Sequence, residues 1–322
     1  MSAEHPDSEF RVLAIDGGGV RGIIPAMVLA ELEQRAGRPV AELFDLIAGT
    51  STGGILAYGL TVRGQGAGPR YTAQDIAELY EREASTIFAR GRRHAIRSAG
   101  GLLAQRYRAD GIESVLERYF GEETLSGTMV DVMVPAYDIE QRARYWLKSR
   151  KARVDPSDDA LVREAARATA AAPTYFPPAE LARKHRSRAL IDGGVFANNP
   201  ALAAYAEARD NYNAQDVVVL SLGTGNDRRP LDARKAATWG AARWARPLLD
   251  IVFDGVSKEA HYSLRKLLGD GNYFRMQPRL DGIQAALDAS SPKAIHMLKV
   301  DANQLIFEQR EMLNGLARRL QR

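Results

Sequence analysis

A serine inside a glycine-rich turn has the type and spacing of residues that carry out nucleophilic chemistry. The turn follows the apolar run Phe44–Ala48 and precedes a second apolar run that is typical of a helix. A G-x-S-x-G turn between a strand and a helix holds the serine hydroxyl above the sheet. The backbone N–H of the residue after the serine then points towards the position where the hydroxyl would react. Flanking side chains larger than hydrogen would collide with neighbouring backbone. The pattern therefore predicts Ser51 as a nucleophile and the N–H of Thr52 as an oxyanion donor, within Gly49-Thr50-Ser51-Thr52-Gly53. The alternative is a glycine-rich turn without chemistry.

A nucleophilic serine needs a base, and Asp192 is the strongest candidate in this chain. It ends the apolar run Leu190-Ile191 and precedes Gly193 and Gly194, so its carboxylate could reach a neighbouring turn unobstructed. A carboxylate within hydrogen-bond reach of the hydroxyl can act as a general base directly. Asp-Gly-Gly is also an ordinary turn sequence. None of the histidines lies in a strand-end loop of the kind that a catalytic triad requires; they are His5, His94, His185, His261 and His296.

A second glycine-rich turn follows the apolar run Phe10–Ile15. Gly17, Gly19 and Gly22 fit the G-x-G-x-x-G pattern of dinucleotide-binding proteins. The same geometry serves any anion, because convergent N–H groups and a helix amino terminus both favour negative charge. A dinucleotide fold should end its next strand with an acidic residue. Here that strand ends in Ser51, which favours an oxyanion site over a nucleotide site.

The elements around these turns alternate between strands and helices. Further strands are predicted over Val130–Tyr137, Ala189–Ile191 and Val217–Leu220, and a helix over Ala201–Arg209, with Asn199 as its N-cap and Pro200 as its first residue. This alternation indicates an α/β fold with a mainly parallel central sheet. In such sheets ligands bind at the carboxyl ends of the strands, where all three glycine-rich turns are expected.

Composition excludes several classes of protein. The 322 residues suit one large α/β domain, with 45% apolar and 26% charged residues. The absence of cysteine excludes a thiolate nucleophile, disulfides and cysteine-ligated metals. A net charge of +4 is too small to indicate binding of a nucleic acid polymer. The acidic, polar amino terminus does not read as a secretory signal, and no apolar run would span a membrane. We therefore expect a cytoplasmic protein.

The motifs together resemble the patatin-like phospholipase family, in the same order along the chain. The resemblance runs from about residue 10 to beyond residue 290 and rests on Asp16–Gly22, Gly49–Gly53, Ala171–Pro178, Asp192–Gly194, Asn198–Pro200, Ser221–Gly225 and Asn272–Arg275. It implies a three-layer α/β/α fold with a mainly parallel sheet. We expect a tail over residues 1–9, the acyl hydrolase domain over 10–310 and a helical end over 311–322.

The resemblance also implies roles for individual residues. Ser51 would be the nucleophile and Asp192 its only catalytic partner, without a histidine, metal or organic cofactor. The glycines at 17, 18 and 19 would form the oxyanion hole, with Thr52. Supporting residues would be Arg21, Gly49, Gly53 and Gly193. Arg21 would either buttress the glycine loop or attract a lipid phosphate.

These expectations lead to a phospholipase A type of acyl hydrolase that cleaves membrane phospholipids through an acyl-enzyme. Three alternatives remain open at this point. The enzyme could hydrolyse non-phosphate esters as a general esterase or lipase, or it could be an effector switched on by a cyclic nucleotide. A non-catalytic nucleotide-binding module would instead use the loop Gly17–Gly22.

Two basic clusters suggest contact with a lipid surface. If they share a face with the active site, they could hold the enzyme against anionic head groups at the inner membrane surface. A solvated, arginine-rich surface explains them equally well. The first comprises Arg90, Arg92, Arg93, Arg97, Arg106 and Arg108, and the second Arg142, Arg144, Lys148, Arg150, Lys151 and Arg153.

Overall fold

The computed structural model describes residues 9–89, 105–183, 186–227 and 229–321. Within these ranges the strands are β1 (Phe10–Ile15), β2 (Leu46–Gly49), β3 (Asp131–Asp138), β4 (Ala143–Lys148), β5 (Ala179–Arg183), β6 (Arg186–Asp192), β7 (Val217–Leu222), β8 (Asn226–Asp227), β9 (Tyr273–Met276) and β10 (Arg279–Leu280).

The helices of the same ranges cover both faces of the sheet. They are α1 (Ile23–Ala36), α2 (Thr52–Gly59), α3 (Ala73–Ile87), α4 (Asp110–Phe120), α5 (Ser149–Val154), α6 (Val162–Thr169), α7 (Gly194–Ala197), α8 (Ala201–Asn211), α9 (Ala233–Ala236), α10 (Ala241–Asn272), α11 (Pro292–Glu308) and α12 (Arg310–Leu320). Short 3-10 helices span Gly19–Gly22, Val40–Glu42, Leu125–Gly127, Pro156–Asp158 and Ile283–Ala285. None of the described helices is long and apolar enough to cross a membrane.

The central sheet has the order β5-β6-β3-β2-β1-β7-β9, and β4 pairs with β3 beside this path. Neighbouring strands in the part β3-β2-β1-β7-β9 pair in parallel. Strands β4 and β6 each pair antiparallel with β3, and β5 pairs antiparallel with β6. The parallel strands β1, β2 and β7 each end in one of the three glycine-rich turns. The three turns therefore lie together at the carboxyl ends of adjacent parallel strands. The predicted fold class is confirmed.

Alternation along the strands divides the apolar residues between two cores. Leu13 and Ile15 of β1 join the larger core with α1, α2, α3, α11 and α12, while Val12 and Ala14 face the smaller core with α8 and α10. Successive strand residues point to opposite faces, so a strand buried on both sides is apolar throughout. The result is the expected three-layer α/β/α arrangement.

The start of α8 differs slightly from the expectation. The helix begins at Ala201, and Pro200 lies just before it, with φ −80° and ψ 2°. Pro200 is therefore the N-cap, so the prediction of Asn199 as N-cap and Pro200 as the first helical residue is wrong by one position. The Asn199 side chain still accepts a hydrogen bond of 3.0 Å from the N–H of Ala201, the first residue of the helix.

Strand β3 brings the ends of two other strands together. One edge of β3 pairs with β4 over Met133–Asp138. The other edge pairs first with β2, over residues 131–133, and then with β6, over residues 136–138. Because β6 runs antiparallel to β3, it ends at Asp192 opposite Ala136, facing the end of β2. This register places Asp192 beside the turn that contains Ser51.

A buried ion pair joins the turn after β1 to strand β9. Both Asp16 oxygens accept hydrogen bonds from the Arg275 guanidinium, at 2.7 and 2.6 Å. Arg275 also donates to the Ser221 hydroxyl at 2.8 Å. The Asp16 and Arg275 side chains are only 2% and 10% exposed. Two parallel hydrogen bonds of this kind make the pair specific in direction as well as strong.

We predict that Arg275→Met destabilises the protein by about 3–5 kcal/mol, because it leaves the Asp16 carboxylate buried without its partner. Urea unfolding followed by circular dichroism measures the change. The matched control is Arg38→Met, which removes the exposed pair of Arg38 with Glu42. That loss should stay within about 0.5 kcal/mol. Equal losses in the two variants would contradict the role assigned to the buried pair.

Candidate active site

Ser51 sits in a strained backbone conformation between β2 and α2. Its φ of 54° and ψ of −120° lie where residues with a Cβ are rare. The Ser51 N–H donates a hydrogen bond of 3.0 Å to the Thr169 hydroxyl, which in turn donates to the Pro135 carbonyl at 2.6 Å. Such strain persists only where the surroundings hold the residue in place. Thr169, from the end of α6, provides part of that restraint.

The glycines on either side of Ser51 allow close backbone approach. A Cβ on Gly49 would collide with the Gly53 carbonyl, and a Cβ on Gly53 would collide with the Ile15 carbonyl. The turn Gly49–Gly53, here called the elbow, is therefore closely packed on itself and against the end of β1. This contact confirms the steric reason for glycine at both positions.

Asp192 is fully buried at the end of β6. Its Oδ1 accepts a hydrogen bond of 2.7 Å from the N–H of Gly194, and its Oδ2 has no hydrogen-bond partner among the described residues. Burial disfavours the charged carboxylate and raises its pKa to about 7, although interactions with the Ser51 hydroxyl and the Gly194 N–H lower it. An acid that is half ionised near neutral pH can both accept and return a proton.

Ser51 and Asp192 meet in one narrow pocket, here called the serine pocket. Its walls are otherwise largely apolar and come from α2, α3, α4 and the segment after α6. The lining residues are Gly18, Gly19, Val20, Ser51, Thr52, Ile55, Tyr80, Ala84, Ile87, Phe88, Ile112, Ala170, Ala172, Tyr175, Phe176, Asp192, Phe253 and Leu287. Apolar walls keep water from the carboxylate, which accounts for its raised pKa, and they suit an acyl chain.

The predicted oxyanion donors divide into two groups. The N–H groups of Gly18, Gly19 and Thr52 belong to residues that line the serine pocket with Ser51. The N–H of Gly17 instead donates a hydrogen bond of 3.0 Å to the Asn198 carbonyl. Gly19 has a φ of 59° and no room for a Cβ, which would strike the Leu287 carbonyl. The structure thus ties the Gly17 N–H to the fold and leaves three residues to face the pocket.

Arg21 supports the glycine loop from behind. Its Nε donates to the Gly18 carbonyl at 3.2 Å, and its Nη1 donates to the Gly225 and Ala285 carbonyls at 3.3 and 3.2 Å. Burial lowers the pKa of Arg21, while the nearby Asp250 raises it. Of the two roles predicted for Arg21, these contacts show the buttressing one. The guanidinium lies in the wall of a second cavity, described below.

Other predicted residues lie away from the serine pocket. His261 contacts the Tyr273 hydroxyl at 3.2 Å, and His296 lies in α11. Neither histidine lines either cavity, and the remaining three lie outside the described residues. Gly193 sits in the turn after Asp192, where a Cβ would collide with Pro135. Within the described part of the chain, no group of acidic or histidine side chains is arranged to hold a metal ion.

Three of the six residues of the second basic cluster are engaged within the molecule. Lys148 pairs with Glu207, Arg153 pairs with Asp131 at the start of β3, and Arg150 contacts the Asn211 side chain. The start of β3 is the end of that strand away from Asp192. In the first cluster, Arg106 pairs with Asp288 and Arg108 with Asp110. Its other members, at positions 90, 92, 93 and 97, lie outside the described residues.

Comparison with known proteins identifies the family. Residues 13–205 match the patatin-like phospholipase family, a span that includes the glycine loop, the elbow and Asp192. This chain belongs to the patatin-like phospholipase family. The chain is 32% identical to patatin-like protein 1 of rice (Oryza sativa subsp. indica), over 90% of this chain and 79% of the relative. It is 33% identical to patatin-like protein 4 of Arabidopsis thaliana, over 82% of this chain and 75% of that protein.

A bacterial relative is equally similar. The chain is 33% identical to a cGAMP-activated phospholipase of Pseudomonas aeruginosa, over 91% of this chain and 87% of the relative. Membership of the family assigns this chain to the lipid acyl hydrolases.

Sequence patterns missed Thr169, although it contacts the Ser51 backbone. A threonine at the end of an alanine-rich helix carries no motif, and only the packing of α6 against the elbow gives it a role. Thr224 lies within the third glycine-rich turn that the sequence singled out, but its contact with the first turn was not predicted. Its hydroxyl donates to the Gly17 carbonyl at 2.7 Å and so links the third glycine-rich turn to the first.

We predict that Thr169→Val lowers the free energy of unfolding by about 1–3 kcal/mol, because the Ser51 N–H and the Pro135 carbonyl both lose a buried partner. Thr169→Ser keeps the hydroxyl and should restore most of that loss. Labelling of Ser51 by a fluorophosphonate probe gives a second measurement, in which we expect the valine variant to react more slowly than the serine variant. Equal labelling rates would argue against a role in positioning Ser51.

Proposed function

We propose that this protein is a serine-dependent phospholipase of the A type, which cleaves fatty acyl esters of membrane phospholipids through a Ser51–Asp192 dyad. One observation carries the proposal. The strained Ser51 and the buried Asp192 share one largely apolar pocket, which Gly18, Gly19 and Thr52 also line. A nucleophile, a base, donors for an oxyanion and an apolar wall are the parts that ester hydrolysis needs.

The first half of the reaction forms an acyl-enzyme. The Ser51 oxygen attacks the ester carbonyl carbon while the Asp192 carboxylate takes the hydroxyl proton. Negative charge then develops on the former carbonyl oxygen, where the backbone N–H groups stabilise it; a single donor of this kind typically contributes about 2.7–4 kcal/mol. The tetrahedral intermediate collapses, the bond to the alcohol oxygen breaks, and Asp192 returns the proton to the departing lysophospholipid.

The second half releases the fatty acid. A water molecule attacks the acyl carbon, and Asp192 takes its proton. The second tetrahedral intermediate expels the Ser51 oxygen, which recovers its proton from Asp192. The same carboxyl group therefore acts as base and acid in both halves. Its pKa of about 7 suits both tasks, because neither protonation state is strongly disfavoured near neutral pH.

The walls of the serine pocket favour a fatty acyl group as the part of the substrate bound there. Ile55, Ile87, Phe88 and Ile112 line the pocket together with Phe176. Burying each methylene of an acyl chain against such walls contributes about 0.8 kcal/mol. A general esterase or lipase acting on non-phosphate esters would use the same pocket. Comparing diacylphospholipids with triacylglycerols and short-chain esters distinguishes these activities.

A regulatory ligand is a second proposal, favoured by the name of the cGAMP-activated relative. A larger cavity of about 880 Å³, here called the arginine cavity, lies behind the glycine loop and is lined in part by Arg21, Arg106, Arg229 and Arg243. Five aspartates of the described ranges also line it, and two of them pair with arginines of the wall, Asp288 with Arg106 and Asp227 with Arg229. The guanidinium groups of Arg21 and Arg243 suit a phosphate-bearing ligand. Because Arg21 also contacts the Gly18 carbonyl, a ligand there would act on the oxyanion loop. Assays with and without cGAMP test this proposal.

We predict that Ser51→Ala and Asp192→Asn each lower kcat for phospholipid hydrolysis by at least about 10³-fold, because each removes an essential member of the dyad. Fatty acid release from defined vesicles, quantified by mass spectrometry, measures the effect. The matched controls are Ser114→Ala and Asp158→Asn, which change exposed residues outside the serine pocket and should retain activity. Full turnover by either dyad variant would refute the proposed mechanism.

We predict that kcat/KM rises with pH and reaches a plateau above a pKa of about 7. The sign follows from the role of Asp192 as a base, because only the ionised carboxylate accepts the Ser51 proton. The same raised pKa means that the folded protein binds a proton that the unfolded chain has already released. Between about pH 4 and pH 7 this group therefore lowers stability as pH rises, and Asp192→Asn should lose that part of the dependence. A pH-independent kcat/KM from pH 5 to pH 9 would contradict the assignment.

A further inference from the structure

The outer face of helix α10 carries an exposed apolar stripe that no described residue covers. Trp244, Leu248 and Ile251 are spaced four and three residues apart and therefore lie on one side of the helix. Leu248 and Ile251 are 52% and 44% exposed. The opposite side of the helix packs against the protein through Leu249, Phe253, Ala260 and Leu264. The helix is thus apolar on its outward face as well as on its core face.

Residues before α10 extend this stripe. Leu231 is 47% exposed, and the Trp239 ring packs edge-on against the Trp244 ring at a centroid distance of 5.2 Å. We call the five residues Leu231, Trp239, Trp244, Leu248 and Ile251 the docking patch. Tryptophan is the residue type that prefers the boundary between hydrocarbon and water, because its ring is apolar and its N–H is polar.

The sequence that carries the docking patch is rich in basic residues. Residues 229–246 contain one acid, Asp232, and five basic residues: Arg229, Arg234, Lys235, Arg243 and Arg246. Among the described side chains, Arg229 pairs with Asp227 and Lys235 with Asp232. The Arg243 guanidinium stacks over the Trp239 ring at 5.1 Å from its centroid. Apolar side chains interleaved with cations match a bilayer surface that presents acyl chains below anionic head groups.

Two acidic residues of α10 lie beside the stripe, towards the arginine cavity. Asp250 and Asp254 both line that cavity. At 100° per residue, Asp250 is about 200° from Leu248 around the helix axis. Asp254 is only about 60° from Ile251, and its carboxylate pairs with Lys258 at 2.6 Å on the same helix, so its charge is compensated there.

The docking patch is continuous with the cavities of the site. Leu231 and Ile251 belong to the wall of the arginine cavity as well as to the patch. That cavity shares Tyr175, Phe253 and Leu287 with the serine pocket. A lipid surface lying on the patch would therefore border the arginine cavity, which shares part of its wall with the serine pocket.

We propose that the docking patch binds the surface of a phospholipid bilayer that contains anionic lipids, and that it holds the enzyme at its substrate. The charge of the patch favours this occupant over a second copy of the chain, because two such faces would bring like charges together. This surface differs from the two basic clusters noted in the sequence. The binding step does not require catalysis, so its test is independent of the proposed chemistry.

The first experiment measures vesicle binding by co-sedimentation in a Ser51→Ala background, which prevents hydrolysis of the vesicles. Vesicles contain phosphatidylcholine with or without 30% phosphatidylglycerol. We expect the double change Trp244→Ser with Leu248→Ser to weaken binding by about tenfold or more, because it removes apolar contact with the acyl chains. The double change Arg234→Glu with Lys235→Glu should weaken binding by a similar factor, because it removes attraction to the anionic head groups. The matched control is Val154→Ser with Phe307→Ser, two exposed apolar residues elsewhere that should leave binding unchanged.

The second experiment uses tryptophan fluorescence, because the chain has three tryptophans and two of them lie in the patch. In the Trp146→Phe variant only Trp239 and Trp244 emit, and brominated lipids should quench them. In the double variant Trp239→Phe with Trp244→Phe only Trp146 emits, and it should not be quenched. Quenching of Trp146 alone would place the membrane contact elsewhere and overturn the proposal.

Two further outcomes separate this proposal from the others. With Ser51 intact, Leu248→Ser should hydrolyse a soluble monomeric ester at the normal rate and hydrolyse vesicles more slowly, because Leu248 lines neither cavity. Vesicle binding without any hydrolysis would contradict the proposed function and leave the docking patch supported. Unchanged vesicle binding in both patch variants would overturn the docking proposal, as would a patch-dependent dimer in analytical ultracentrifugation.

Discussion

Two strands that end against the same edge of β3 determine where Ser51 and Asp192 meet. β2 pairs with the first part of that edge and turns away into the elbow, and β6 arrives from the opposite direction and ends at Asp192. Residues separated by more than a hundred positions therefore meet without a long loop. Backbone pairing across a sheet is rigid, so the relative position of Ser51 and Asp192 is set by strand register.

Both members of the pair are held in states that they would avoid in isolation. Ser51 has a left-handed φ of 54°, and Asp192 is a buried carboxyl group whose Oδ2 has no hydrogen-bond partner within the described part of the chain. The surrounding structure compensates through the Thr169 hydroxyl, the Gly194 N–H and the ion pair of Asp16 with Arg275. Strain and desolvation at a site are useful only if the rest of the fold is stable enough to maintain them.

The glycine loop separates two environments with different chemistry. On one side lies the apolar serine pocket, and on the other lies the charged arginine cavity. Arg21 connects them, because its guanidinium lines the cavity while it donates a hydrogen bond to the Gly18 carbonyl. An acyl chain suits the first environment and a phosphate-bearing group suits the second. The exposed face of α10 adds a third surface beside the cavity, with the apolar and basic character of a membrane contact.

The sequence alone determined the fold class, the strand-end turns and the identities of Ser51 and Asp192 as candidates, because strand–turn–helix motifs depend on local residue types. It also predicted why Gly49 and Gly53 lack side chains. Only the tertiary structure decided that the Gly17 N–H is engaged by Asn198, that Thr169 restrains the Ser51 backbone and that half of the second basic cluster is engaged within the molecule. These features depend on contacts between distant segments, and the spacing of residues within one segment carries no information about such contacts.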